Sequence, residues 1–114
     1  MASRKQPTPL YRQVQPLSLG AWLRELRQKR DLALREVAAA VKMDQAHLSK
    51  AELGQRLPTA EQVSRLAQFF KVPADQMEGR RVAEKVMQEI AASPAAEHAL
   101  AILREEPINL MTHK

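Results

Sequence analysis

A chain of 114 residues, 45% hydrophobic and 27% charged, has room for one compact domain with an added helix or tail, and two full domains are not expected. Aromatic residues make up only 4%, so a core must come from Leu, Val, Ala and Met, which favour helices, and an all-β fold is all but excluded. The absence of cysteine removes disulfide frameworks and thiolate zinc sites, and His47, His98 and His113 are too scattered for a local metal centre. Neither a metal nor a cofactor is expected.

The formal net charge of +5 is unevenly spread. Residues 1–30 carry seven bases against one acid, residues 31–79 six against seven, and residues 80–114 five against five. Such a surface attracts anionic partners, nucleic acid first and membrane surface second. No apolar stretch has the length of a membrane span and the N-terminus lacks a signal-peptide core, so a cytoplasmic protein without membrane association is expected.

Residues 1–17, with Pro7, Pro9 and Pro16 among Arg4, Lys5 and Arg12, have no periodicity and read as a mobile basic arm. From Ser18, a suitable N-cap, Leu19, Trp22, Leu23 and Leu26 mark one face of a first helix. A second begins at Ala33 or Leu34 and carries Val37, Ala38 and Val41. Asp44 caps a third, which runs to about Leu53 and is closed by Gly54. Thr59 and Gln62 match a capping box and open a fourth, with Val63, Leu66, Ala67 and Phe70 aligned, until Val72-Pro73 breaks it. A short fifth helix, about residues 74–77, is expected to end at Gly79. Val82, Val86 and Ile90 mark a sixth, and Ser93-Pro94 starts a seventh that Pro107 stops. The expected divisions are the arm, a domain over residues 18–79, a helical segment over 80–107 and a tail over 108–114.

The informative stretch is residues 34–54. Val37, Ala38, Val41, Met43, Leu48 and Ala51 are spaced to fill the inside corner of two helices joined by a turn, and small Ala38 lets them cross closely. Any tight helical hairpin needs a similar corner, so this spacing alone is only moderately specific.

The wider pattern resembles the phage-repressor-like (Cro and C1, or XRE) helix-turn-helix regulators, from Leu19 to about Met77. The anchors are the runs at residues 19–27, 34–38, 47–58 and 66–72, in the family's order and spacing. The resemblance implies an all-α architecture, a five-helix lambda-repressor-like DNA-binding domain with its third helix in the major groove, here followed by two C-terminal helices. Three positions depart from the family pattern. Lys42 stands where the turn usually has Gly, Ala33 replaces the usual Ser or Thr N-cap, and Leu34 replaces a polar residue that commonly helps hold a phosphate.

With the third helix in the groove, its N-terminal and outward residues meet base edges. Gln45 suits adenine, Lys50 suits guanine O6 and N7, Ala46 suits a thymine methyl, and Ser49 completes the set. The bland alternative is a solvated helix face. Arg56, Arg35 and His47 are the candidate phosphate contacts, with a surface ion pair the alternative for Arg35 and an ordinary exposed histidine for His47. Arg4, Lys5 and Arg12 are candidate minor-groove contacts of the arm. Glu52 resembles the family's structural acid, and Trp22 belongs to the core.

In the C-terminal segment, Val82, Val86, Met87, Ile90, Leu100 and Leu103 form the candidate dimer interface. The expected function is a homodimeric, sequence-specific transcriptional regulator, more a repressor than an activator, bound to double-stranded DNA at an inverted repeat. The rival reading is an antitoxin or adaptor whose C-terminal helices hold a partner protein such as a toxin. With no nucleophile and base, no phosphate-cradling glycine loop and no metal cluster in the sequence, an enzyme is the weakest reading.

Overall fold

The computed structural model describes residues 18–105, in two units divided between Arg81 and Val82. Arg4, Lys5 and Arg12 of the expected arm, the stop at Pro107 and the tail lie outside the described residues. The chain is all-α, as expected. Among the described residues there are six helices and no strand: α1 (Leu19–Lys29), α2 (Leu34–Ala40), α3 (Gln45–Glu52), α4 (Ala60–Phe70), α5 (Ala74–Ala91) and α6 (Ala96–Glu105). None of these helices is long and apolar enough to cross a membrane.

Local hydrogen bonds explain where the first helices start. The Ser18 hydroxyl accepts from the Ala21 N–H at 3.1 Å, and the Asp44 carboxylate from the His47 N–H at 3.2 Å. Thr59 and Gln62 form the reciprocal capping box, at 3.1 and 3.0 Å. Each such cap contributes about 1 kcal/mol. Ala33 has no side-chain oxygen to offer. Instead the Glu36 carboxylate reaches back to accept from the Ala33 N–H at 2.7 Å, which supplies half of a capping box.

Four successive helix ends share one solution. Asp31, Lys42, Gly54 and Lys71 adopt the left-handed conformation, with φ of 56°, 57°, 76° and 60°. In each case the N–H of that residue and the next close back on the last turn: Lys42 donates to Ala39 O at 3.3 Å and Met43 to Ala38 O at 2.9 Å, and the other three repeat the pattern. The residue after the left-handed position is Leu32, Met43 or Val72 at three of the ends, and all three pack on the core. This inward anchor offsets the cost of about 1 kcal/mol that a side chain incurs in the left-handed region.

The core of the first unit joins Leu19 and Leu23 of α1, Val37 and Ala38 of α2, Leu48 of α3, Leu66 and Phe70 of α4, and Met77 at the start of α5. Trp22 and Leu26 lie half-buried against it. Two arginines finish the ends of helices other than their own. Arg30 donates to Phe69 O and Phe70 O at 3.2 and 2.6 Å, with its guanidinium 5.3 Å from the Phe70 ring centre. Arg65 donates to Val41 O at 2.7 Å.

One expectation is corrected. The sequence suggests that Gly79 separates a fifth helix from a sixth, yet α5 runs unbroken from Ala74 to Ala91. Gly79 does not take the left-handed conformation that Gly54 takes, and a glycine inside a helix costs only about 1 kcal/mol. A bidentate Arg81–Glu78 pair, at 2.9 and 2.7 Å, straddles it within the helix. In the second unit, the Ser93 hydroxyl accepts from the Ala95 N–H at 3.0 Å ahead of α6, in keeping with the start signal at Ser93-Pro94.

Gly20 marks a close approach of α1 to α3. A Cβ placed there would lie 2.3 Å from Ala51 O and 2.7 Å from Glu52 O, both backbone atoms of α3. Gly20→Ala must therefore push α1 and α3 apart, and a loss of about 1–3 kcal/mol is expected by urea denaturation. Unchanged stability would mean that the two helices have slack to separate.

Candidate nucleic-acid interface

The site is built around α3. Its inward side carries Leu48 and Ala51, both buried, and Glu52, whose side chain is 6% exposed. Glu52 receives Arg27 of α1 through two hydrogen bonds, Nε to Oε2 at 2.7 Å and Nη2 to Oε1 at 2.9 Å, while Arg27 Nη1 donates to Leu32 O at 2.9 Å. The pair binds the C-terminal end of α3 to α1, which is the scaffold role expected for Glu52. Its hydrogen bond with Glu52 raises the Arg27 pKa further above its ordinary value.

The opposite side of α3 is open. Gln45, Ala46 and Lys50 are exposed and Ser49 is half-buried, so the structure gathers the four candidate base-contacting residues within two turns of one helix. Arg56 is exposed in the loop beyond Gly54, and Arg35 is exposed in the first turn of α2. Ion pairs engage Arg27, Lys29, Arg65 and Arg81 with Glu52, Glu25, Glu61 and Glu78. No such pair involves Arg35, Lys42, Lys50 or Arg56 among the described residues. The cations of the helix-turn-helix and its following loop are thus left for solvent or a ligand.

His47 sits differently from a surface histidine. Its ring is half-buried, with Nδ1 3.5 Å from Gln62 Nε2 of α4, and Nε2 is shielded from solvent without a hydrogen-bond partner. Burial lowers its pKa, the positive charge of Arg56 lowers it further, Asp44 opposes the shift and Lys50 adds to it.

Sequence reasoning did not single out Gly20, although a glycine inside an amphipathic helix is a recognisable signal of close approach. It also passed over Leu53, 59% exposed at the C-terminal boundary of α3. The expected interface residues of the second unit divide. Val82, Val86, Met87 and Leu100 are exposed by 42–54%, whereas Ile90 and Leu103 are half-buried.

A folded-state pKa below the ordinary value makes His47 a source of pH dependence. Both folded and unfolded chains hold it neutral above about pH 6.5, where its full contribution is present. As pH falls below that value the unfolded chain takes the proton first, and stability declines until the folded-state pKa is passed. Thermal unfolding of the wild type between pH 8 and 5 should show this loss, and His47→Gln should lack that component. Parallel curves for the two proteins would refute it.

Residues 18–79, more than half of the chain, match the family described as helix-turn-helix domain. Among solved structures, the chain is similar to the clp gene regulator ClgR from Corynebacterium glutamicum, with a TM-score of 0.50 and 24% identity over 88% of this chain and 97% of that one. At that identity the likeness is one of fold. No curated protein matches. The chain belongs to the helix-turn-helix family of DNA-binding regulators, in the phage-repressor-like (XRE) type that its residues resemble.

Proposed function

We propose that this protein is a sequence-specific repressor that occupies an inverted-repeat operator as a homodimer, with α3 in the major groove. The observation that carries the reading is the two-sidedness of α3, braced from behind by Gly20, Leu48 and the Arg27–Glu52 pair, with Gln45, Ala46, Ser49 and Lys50 in front. A helix fixed in this way presents its side chains without reorganisation, which favours discrimination between base pairs.

Gln45 and Lys50 are assigned to base edges, Ala46 to a thymine methyl and Ser49 to a base edge or phosphate. Arg56 and Arg35 are assigned to phosphates. His47 is the weaker phosphate candidate, since its Nε2 is shielded and its Nδ1 faces Gln62 Nε2, so a phosphate would have to displace Gln62 to reach the ring. The exposed apolar side chains Val82, Val86, Met87 and Leu100 favour self-association, and a two-fold dimer would set two copies of α3 on half-sites about one DNA turn apart.

Selection from a random duplex pool at roughly physiological salt, with wild type and Gln45→Ala in parallel, tests the reading. The wild type should enrich an inverted repeat. The variant should lose preference at one position of each half-site, by about 1–3 kcal/mol if the contact is bidentate. A pool without an enriched motif would sink it and turn attention to a protein partner. Light scattering at micromolar concentration should give a dimer mass for the wild type and a monomer mass for Val86→Asp with Leu100→Asp. A monomeric wild type, with or without operator, would overturn the dimer.

A further inference from the structure

The turn between α2 and α3 is closed by a residue that the backbone geometry does not favour. Lys42 occupies a left-handed position, φ 57°, where glycine fits without cost, yet the chain places a long cation there. The backbone around it is fixed on both sides, by Lys42 N–H to Ala39 O and by Met43, 8% exposed and anchored in the core. The side chain is therefore mounted on a rigid corner. It is exposed, and it forms no ion pair among the described residues, although Asp44 lies two positions on with its carboxylate turned to the His47 N–H.

We propose that Lys42 is an additional phosphate contact of the helix-turn-helix, made from the turn itself. The inference rests on the functional reading above and extends its set of backbone-binding residues to the corner between the two helices. A compact ammonium on a flexible stem suits a single phosphate and carries no base preference, so the contact strengthens binding equally on all sequences.

The molecule contains its own control. Lys71 has the same charge, is likewise exposed and has nearly the same backbone conformation, φ 60°, but closes α4 beside the carbonyls that Arg30 holds. Lys42→Gly and Lys71→Gly are thus one chemical change made at two places. Both should raise the urea midpoint, because glycine relieves the left-handed strain. Only Lys42→Gly should weaken binding to the selected operator, and the slope of log K against log salt should fall by about 0.9 for each protomer bound. Lys42→Asn, which tolerates the same backbone, should match the glycine variant in binding, and Lys42→Arg should keep the wild-type slope.

An unchanged slope for Lys42→Gly would overturn the proposal while leaving the functional reading intact. Equal losses for Lys42→Gly and Lys71→Gly would also overturn it, since overall charge would then account for both. A wild type that binds no duplex DNA would overturn the functional reading and this contact with it.

Discussion

The seating of α3 against α1 is the constraint on which the rest of the first unit depends. At Gly20 the two helices approach until no Cβ fits between them, and about two turns further along α1, Arg27 joins Glu52 through a bidentate pair. The first contact fixes how near α3 lies and the second limits how it can rotate about its own axis. Burial makes the pair demanding, because a carboxylate 6% exposed must be fully satisfied where water cannot reach it. Here Arg27 satisfies it and also ties down the Leu32 carbonyl, so one guanidinium serves both α3 and the link between α1 and α2.

The same economy governs the helix ends. Short helices leave a large share of their backbone groups unpaired, and a small domain cannot leave many of these in its interior. This chain closes four successive C-termini with one backbone motif and sets an apolar residue behind three of them. Each turn is thereby part of the core. Arg30 and Arg65 complete the arrangement from neighbouring helices, where a guanidinium has the reach and the donors to cover carbonyls at the end of α4 and α2.

Much of this was legible in the sequence. The apolar spacing of Leu19, Trp22, Leu23 and Leu26, the capping box at Thr59 and Gln62, and the inside corner around Ala38 each report a local cause, and each appears where its cause predicts. The left-handed Lys42 was signalled by the resemblance instead, as the position where the family's turn usually has Gly. Gly79 misled because a glycine marks a helix end only when its φ is positive, and that depends on whether the following residues continue to reward the helix, here through Arg81 and Glu78. The inward ring of His47 was not legible. Its environment comes from Gln62, fifteen residues away in sequence, and from Arg56 across the loop. The Arg27–Glu52 pair was foreseen only as a role for Glu52, since nothing in the spacing of the two residues selects Arg27 among the other bases of α1.

The division of α3 into a held side and an open side bears on how such a protein can change. The contacts described for the helix are made by its inward residues, by its Asp44 cap, by His47 and by the backbone of its last turn, and none is made by the side chains of Gln45, Ala46, Ser49 or Lys50, so these four can be exchanged at modest cost to folding. Descendants of one scaffold can drift in what they read while inheriting the same mounting. A face transplanted from another sequence onto Gln45, Ala46, Ser49 and Lys50 would arrive already oriented, and its success would depend on the new side chains alone.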